Sequence, residues 1–445
     1  MSTRGINRRQ FLAGSGALAA GAVAASLGVT ATPETAQAAT VEAARPDAEA
    51  AREAAYAVAA RVQDEGAVLL RNEGVLPLAA GSTVMPFGYA YLSPIYGQLS
   101  SGGSAKWSID PVTPEQGLAA FMIDNAAADA MRAAGDPYAL VEAEGTAAAG
   151  VAGSVLGGDC KIYEYDPAIY EGLAENPEAT GIVFLSRSGQ EGQDQKHDAY
   201  EDGTPHYLAI SQYERGTIAA AKRVCGSVVV VIVSSAPMEV ADLTSGELAV
   251  DAIVHYGHPS ERGFTRLSAL LTGEVNPSGR TVDTWSADFT ADPSYVCIGL
   301  HTYTNLPITS GSLTDGGDIL RTFNEYQEGV YMGYRYYETA ALVDPSFSYE
   351  DAVVFPFGYG LSYTTFSQTL DSVEPGEKDD ELVARVTVTN TGEAASAGEK
   401  YRGQASDQGF FSPRLFRAPC GTPPGCHNPA FLSRKVTRAA ITPFS

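Results

Sequence analysis

The stretch that decides the fold is residues 181–194, which read GIVFLSRSGQEGQD. The segment from Gly181 to Leu185 is an apolar run as long as a buried strand, and a polar, glycine-containing loop follows directly. Two further runs of this kind lie downstream, at Val228–Val233 and Ala252–Tyr256. These runs predict strands of the kind that a parallel sheet buries on both faces.

Helical segments separate these runs. Ser211 and Glu214 have the Ser-x-x-Glu spacing of a capping box, which predicts a helix from this point to about Val224. A second helix is expected near Ser260–Thr272, because Gly273 can end it in the left-handed conformation. The alternation predicts an α/β fold, a mostly parallel sheet sandwiched by helices, whose ligands gather at the carboxyl ends of the strands.

The flanking regions carry weaker patterns. Upstream, Asp47–Asp64 is alanine-rich and periodic, which predicts an amphipathic helix ended by Gly66, and Thr83–Phe87 resembles a strand. Downstream, Leu382–Asn390 alternates apolar and polar residues, as a half-buried antiparallel strand does. We expect an incomplete β-sandwich to begin near residue 363, because the strand pattern stops well short of the about seven strands that such a fold needs.

The net charge of −24 is a sum over unlike segments. Residues 1–40 carry +2 and residues 400–445 carry +6, which leaves −32 for the body at 41–399. So acidic a body argues against nucleic acid as a partner, because phosphate binding relies on basic side chains. A neutral, sugar-like substrate fits better, although net charge also keeps exported proteins in solution.

The first 38 residues have the order of an export signal. The pair Arg8-Arg9 precedes Phe11-Leu12, a Gly/Ala-rich run over 13–31 follows, and Ala36-Gln37-Ala38 is a small-x-small cleavage site. This order resembles a twin-arginine signal and predicts a periplasmic, extracellular or cell-surface protein. A membrane anchor is the alternative, but the run is weakly hydrophobic, and no membrane span is expected once the signal is removed.

Residues 400–445 differ from everything before them. The acidic, alanine-rich texture changes to Arg, Pro, Cys and Phe without a helical or strand period. Because the change interrupts a strand-rich region midway, we expect this basic tail to come from a shifted reading frame or a misassembled end. An evolved basic tail is the alternative.

A candidate for catalysis lies in the loop that follows the first apolar run. Glu191 is a carboxylic acid flanked by glycine-containing sequence at the expected carboxyl edge of the sheet, a position suited to proton transfer into a cleft. A solvated surface charge is the alternative interpretation of this residue taken alone.

Context favours the catalytic interpretation, because five motifs occur in the order seen in glycoside hydrolase family 3. They are EGAVLLRNEGVLPL at 65–78, RSGQEGQD at 187–194, NPSGR at 276–280, GVYMGYRYY at 329–337 and FPFGYGLSYTTF at 355–366. The chain resembles the α/β-sandwich domain of β-glucosidase-like members together with the start of their fibronectin type III-like domain.

The resemblance implies a retaining O-glycosyl hydrolase that acts on terminal β-linked sugars of a β-glucoside or oligosaccharide, without metal or cofactor. In that family a barrel domain supplies an aspartate nucleophile, and a glutamate on the sandwich-domain loop is the general acid/base. By motif match that glutamate is Glu191. Arg187 and Asp194 match neighbouring family positions, for which binding the substrate and orienting the loop are the two alternatives.

The chain also departs from the family pattern. It has no Ser-Asp-Trp nucleophile motif, since neither Trp107 nor Trp285 follows an aspartate. The usual glycine before the acid/base is Gln190, and the usual arginine after the loop aspartate is Gln195. We expect the 445-residue chain to be inactive alone, because the nucleophile-bearing barrel is missing from it. In some members of the family the sandwich and β domains precede the barrel, and in that order the barrel would follow residue 445, where it was lost or never read. A non-catalytic carbohydrate-binding or interaction protein is the competing hypothesis.

The remaining motifs are less specific. His255 and His258 lack a third ligand, so no metal site is expected, and the body cysteines Cys225 and Cys297 are expected to be buried thiols. The aromatic residues at 334–337 and 355–363 could stack on sugar or pack between domains. The predicted organisation is a signal at 1–38, the sandwich domain at 41–300, an aromatic linker at 301–362, a partial fibronectin type III-like domain at 363–399 and the aberrant tail at 400–445.

Overall fold

The computed structural model describes residues 46–97, 111–140, 161–187, 199–297, 325–375, 382–392 and 394, together with short strands at 301–302, 309–310, 318–319, 322–323 and 436–441. It divides into two units, Met1–Val58 and Ala59–Ser445. The described part of the first unit is the start of helix α1, Pro46–Gly66, whose side chains are mostly exposed there. The predicted helix over this region is confirmed.

A six-stranded sheet forms the centre of the second unit, with the strand order β1-β8-β7-β6-β2-β3. Its strands are β1 (Val68–Asn72), β2 (Thr83–Phe87), β3 (Met122–Ile123), β6 (Asn176–Arg187), β7 (Cys225–Ser234) and β8 (Ala252–His255). A separate two-stranded antiparallel sheet pairs β4 (Tyr138–Leu140) with β5 (Ile162–Glu164). All neighbours in this sheet are parallel except the edge strand β1, which is antiparallel to β8. The predicted α/β class is confirmed.

Short helices and one long helix connect these strands. They are α2 (Tyr89–Leu92), α3 (Pro114–Gly117), α4 (Ala126–Ala134), α5 (Gln212–Val224), α6 (Ala241–Thr244) and α7 (Leu267–Leu271), with 3₁₀ turns at Pro167–Tyr170, Gly263–Arg266, Phe289–Ala291 and Tyr295–Cys297. Helix α5 begins with the predicted capping box, in which Ser211 and Glu214 accept each other's backbone N–H groups. Its buried face covers β6 and β7.

The core follows from the apolar runs. Residues 182–185 and 228–233 are completely or almost completely buried, because β6 and β7 lie in the middle of the sheet with layers on both faces. The thiols of Cys225 and Cys297 are buried and free, as expected. Burial of β-branched side chains on both faces is the main source of stability for such a sheet.

The helix predicted at 260–272 is wrong in its first half. Ser260 has a φ of +52°, a left-handed conformation that ends helical geometry, and the chain then makes a 3₁₀ turn before α7 begins at Leu267. Gly263 packs so tightly on Pro259 that a Cβ at this position would lie 2.6 Å from the proline Cβ. Gly273, with a φ of +78°, lies just beyond the end of the helical segment as predicted, but it gave no information on where the helix begins, because the backbone before Leu267 is shaped by local packing.

Small sheets follow the α/β sandwich. They contain β9 (Trp285–Ser286), β10 (His301–Thr302), β11 (Thr309–Ser310), β12 (Asp318–Ile319), β13 (Thr322–Phe323), β14 (Val353–Phe355), β15 (Phe366–Pro375), β16 (Leu382–Asn390) and β17 (Val436–Ile441), with helices α8 (Tyr334–Val343) and α9 (Tyr349–Ala352) between them. The predicted strand at 382–390 is confirmed as antiparallel to β15.

Strand β17 was not predicted. It lies within the basic tail and pairs in parallel with β16. A strand edge offers unpaired N–H and C=O groups, so a segment without a strand period in its side chains can still add to it through backbone hydrogen bonds. The reading-frame origin of residues 400–445 and the fibronectin type III-like character of the region from 363 stay predictions.

Candidate active site

The carboxyl ends of three parallel strands meet at one edge of the central sheet. Arg187, the last residue of β6, is paired with Ser234, the last residue of β7, and His255 ends β8 beside Ile232. This is the edge at which ligands of open α/β sheets bind, as the sequence predicted.

Of the three site residues proposed from sequence, Arg187 is the one that the structure describes. Glu191 and Asp194 belong to the segment 188–198, which lies outside the described residues. The structure describes the residues on either side of this loop, Arg187 before it and those from 199 onward after it.

Arg187 is buried, with 1% of its surface exposed, and donates hydrogen bonds in several directions. Its Nε donates to the carbonyl oxygen of Tyr207 at 2.5 Å, and one terminal nitrogen donates to that of Ala209 at 2.6 Å. Both terminal nitrogens, Nη1 and Nη2, donate to the Glu214 carboxylate at 2.6 and 2.7 Å and so form a bidentate pair with it. An arginine enclosed in this way contacts backbone and carboxylate rather than solvent.

These contacts join the two ends of the loop that contains Glu191. Arg187 is the residue before the loop, and Tyr207 and Ala209 lie on the segment that returns from it to α5. Burial acts to lower the pKa of Arg187, but the charge and hydrogen bonds of Glu214 together raise that pKa above its ordinary value. Glu214 is in the first turn of α5, where the helix dipole favours a carboxylate.

A second buried carboxyl group, Glu164, lies close to this ion pair. It is 2% exposed, and its side-chain oxygens accept the backbone N–H groups of Tyr89 at 3.1 Å and Tyr165 at 2.8 Å. Burial raises the pKa of Glu164 to about 8, with the negative charge of Glu214 adding to the effect. The sequence analysis missed this residue, because an isolated glutamate between tyrosines has no local pattern that signals burial.

Two histidines hydrogen-bond to backbone carbonyl groups at the same edge of the sheet. The His258 Nε2 atom lies 3.2 Å from the carbonyl oxygen of Arg187, and the His255 Nε2 atom lies 2.8 Å from that of Ser234. The ring of His255 also packs edge to face on Trp285, with 5.2 Å between centroids. Burial lowers the pKa of both imidazoles, so they are neutral donors at pH 7.

A third histidine lies where the loop returns. His206 is 3% exposed, its Nε2 is 3.2 Å from the Glu239 carboxylate, and its ring stacks on Phe289. The same Glu239 oxygen accepts the backbone N–H of Phe289 at 2.8 Å. Sequence reasoning did not single out His206 or Glu239, because they are distant in the chain and meet only across the sheet edge.

The described ranges hold no group of three or more His, Cys, Asp or Glu side chains arranged to bind a metal ion. No helix within those ranges is long and apolar enough to cross a membrane.

Residues 67–363 match the glycosyl hydrolase family 3 C-terminal domain. The chain belongs to glycosyl hydrolase family 3. The resemblance seen in the sequence motifs is thereby confirmed, and the match extends from β1 to the aromatic motif before β15.

The family 3 relatives include several β-glucosidases. The chain is 27% identical over 358 residues to thermostable β-glucosidase B of Acetivibrio thermocellus. The aligned region covers 78% of this chain and 38% of that protein. It is 28% identical over 348 residues to a β-glucosidase of Ruminococcus albus, covering 76% of this chain and 31% of the relative. The chain therefore spans between about a third and two fifths of these relatives.

Solved structures support the same fold. A β-glucosidase from Paenibacillus barengoltzii superposes with a TM-score of 0.55 at 23% identity, over 76% of this chain and 33% of the other. β-Glucosidase 3B from Thermotoga neapolitana, in complex with glucose, gives a TM-score of 0.53 at 24% identity, over 78% and 43% of the two chains. These likenesses show that this chain shares the fold of the matched parts of those structures.

Proposed function

We propose that this chain carries the acid/base half of a retaining β-glucosidase site that acts on terminal β-linked sugars, with Glu191 as the general acid/base. The observation that supports this proposal best is the buried Arg187 cluster, which fixes the base of the Glu191 loop at the carboxyl edge of the sheet. A proton-transfer group needs such a support, because a displacement of about 1 Å can cost a large part of the rate.

Arg187 is proposed to orient the loop rather than to touch sugar. Its donors are directed at two backbone carbonyls and at Glu214, and its side chain is shielded from solvent. For Asp194 both alternatives, contact with the substrate and orientation of the loop, stay open.

Retaining hydrolysis needs two carboxyl groups about 5–5.5 Å apart, one that attacks the anomeric carbon and one that protonates the leaving oxygen and then activates water. In this proposal Glu191 performs the second task. The nucleophile comes from a barrel domain, because the chain contains no Ser-Asp-Trp motif. We accordingly propose that the 445-residue chain by itself does not turn over β-glucosides.

The first experiment measures release of nitrophenol from nitrophenyl β-glucoside by the purified chain and by its Glu191→Gln variant. No release by either protein is expected. Release that Glu191→Gln abolishes would show that the chain is a complete enzyme and would contradict the need for a barrel.

A second experiment tests the role of Glu191 in an active context. Residues 67–363 replace the matching segment of the A. thermocellus β-glucosidase, and Glu191→Gln is compared with Asp194→Asn. Loss of general acid catalysis lowers the rate by about 10²–10⁴-fold. In kcat/KM, which reports formation of the glycosyl-enzyme, that loss should be large for cellobiose and small for a dinitrophenyl glucoside, whose leaving group needs no proton. Turnover of the dinitrophenyl glucoside should still slow, because water is no longer activated by Glu191. Equal losses of kcat/KM on both substrates would refute the assignment.

We also propose that the protein is exported through a twin-arginine-type signal. The support is the order Arg8-Arg9, apolar run and cleavage site. Replacement of both arginines by lysine should retain the protein inside the cell, as measured by fractionation, whereas replacement of Arg4 by lysine should not. Unchanged export of the double variant would refute the proposal.

A further inference from the structure

A cleft of about 360 Å³ lies beside β9 and α8. Its lining residues come from 287–291 and 336–352, so they are distinct from those of the Arg187 site. The inner wall is aromatic, formed by Tyr336, Tyr337 and Phe347, and the rim is polar, with Asp288 and Asp351 among its residues.

The aromatic wall is held in place before any ligand binds. Tyr336 packs edge to face on Tyr337, with 5.0 Å between ring centroids, and on Phe347, with 6.1 Å. Tyr337 is 3% exposed, and its hydroxyl donates to the Asp292 carboxylate at 3.1 Å. Because these rings are already ordered, a ligand that stacks on the half-buried Tyr336 pays little conformational entropy.

The polar rim is also ordered. One Asp288 oxygen accepts the backbone N–H of Thr290 at 2.8 Å and its hydroxyl at 2.6 Å, which fixes the carboxylate. The Ser348 hydroxyl accepts the backbone N–H of Asp351 at 3.3 Å and so fixes the start of α9. The rim therefore offers one carboxylate held in place, that of Asp288, and a second, exposed carboxylate on Asp351 at the start of α9.

We propose that this cleft binds a neutral saccharide of one or two rings, stacked on Tyr336 and hydrogen-bonded through its hydroxyl groups to Asp288 and Asp351. Flat C–H faces of sugars suit aromatic rings, and sugar hydroxyls suit carboxylate acceptors. The volume lies at the lower end of the roughly 300–1,000 Å³ of ligand pockets, which fits a ligand of this size.

The charge and the ring geometry disfavour other small ligands. Two carboxylates at the rim repel phosphorylated or acidic sugars. A quaternary ammonium group is bound by rings that surround it with their faces, whereas here the three rings pack against one another. This site goes beyond the proposed function and does not depend on Glu191.

The test is a calorimetric and NMR titration of the full 445-residue chain with cellobiose and glucose. Saturable binding is expected, and Tyr336→Ala should weaken it at least ten-fold. Asp351→Asn should weaken it about three-fold or more while leaving the fold intact, because this side chain is exposed. Tyr331→Ala is the matched control: this tyrosine is half exposed on the preceding segment, does not line the cleft, and should leave binding unchanged.

Three results of the sugar titrations would overturn the proposal, and a choline titration gives a fourth. They are the absence of saturable cellobiose and glucose binding, equal weakening by Tyr331→Ala and Tyr336→Ala, and binding that survives both cleft variants but is lost in Glu191→Gln. The last result would place the sugar at the acid/base loop and support the proposed function while refuting this site. A choline titration that saturates where cellobiose does not would also refute it. If Tyr336→Ala fails to fold, Asp351→Asn decides the outcome.

Discussion

The buried pair between Arg187 and Glu214 allows the sharpest test of how the candidate active site is supported. Replacement of Arg187 by methionine leaves the Glu214 carboxylate buried, with 3% of its side chain exposed, and removes the donors of the Tyr207 and Ala209 carbonyls. Breaking a buried ion pair by removing one partner costs about 3–5 kcal/mol. We therefore expect Arg187→Met to lower the free energy of unfolding by about 4 kcal/mol.

The assay is urea unfolding followed through the fluorescence of the buried Trp285, completed as a double-mutant cycle with Glu214→Gln. The double variant should lose less than the sum of the two single losses, by about 1–3 kcal/mol, because the second change removes the charge that the first left unpaired. Arg61→Met is the control, since the Arg61–Glu65 pair is exposed, with 76% and 36% of the side chains accessible. A surface pair of this kind contributes at most about 1 kcal/mol.

Two outcomes would refute this reasoning. A loss for Arg187→Met no larger than that for Arg61→Met would mean that the buried hydrogen bonds do not support the edge of the sheet. Strict additivity in the cycle would mean that Arg187 and Glu214 contribute independently, in spite of the 2.6 Å contact between them.

Three further predictions rest on single positions. Between pH 4.5 and about 8 the folded protein keeps a proton on Glu164 that the unfolded chain has released. The contribution of Glu164 to stability should therefore be fully present below this window and fall by up to about 1.4 kcal/mol per pH unit through it. The difference in free energy of unfolding between the unmodified chain and Glu164→Gln should change with this slope in urea titrations at several pH values; a difference that does not change with pH would contradict this. Gly88→Ala should lower the free energy of unfolding by more than about 2 kcal/mol, because φ is +92° and the new Cβ would lie 2.4 Å from the Phe184 carbonyl oxygen. Gly203→Ala, at φ +84° with open space around it, should lower it by only about 1–2 kcal/mol in the same urea titrations. Equal losses would disprove the steric argument. The thiol of Cys225, whose pKa burial raises to about 12, should resist iodoacetamide at pH 8 until the protein unfolds. Mass spectrometry of the peptide that contains Cys225 separates it from the other cysteines, and fast labelling of that peptide in the native chain would refute its burial.

Much of the fold was predictable because its signals are local. The runs at 181–185, 228–233 and 252–256 became the central strands, and the Ser211–Glu214 spacing became a capping box. Hydrophobic periodicity and helix capping act over a few residues, so they can be recognised without knowing what packs where. The half-wrong helix at 260–272 shows the limit, because the left-handed Ser260 and the packing of Gly263 on Pro259 depend on local crowding that no periodicity reports.

The candidate site was predictable only in part. Arg187 was found through its motif, but its enclosure by Glu214, Tyr207 and Ala209 was not, and Glu164 was missed altogether. A side chain's burial and its charge partners are properties of segments far apart in the chain that the sheet brings together. The pKa values and hydrogen bonds of these side chains follow from contacts between distant segments and not from the residues next to them in the sequence.

By itself, the sequence determined the α/β class, the family and the position of the acid/base candidate in the chain. Each of these can be recognised from a short apolar run or a contiguous motif. Tertiary structure decided that the Arg187 side chain is buried and paired with Glu214, and that Glu164 is buried close to this pair. It also decided that Tyr336, Phe347 and two aspartates line one cleft. The physical reason is the same in each case. Desolvation and charge pairing arise when distant segments exclude water together, and only the folded chain specifies which segments those are.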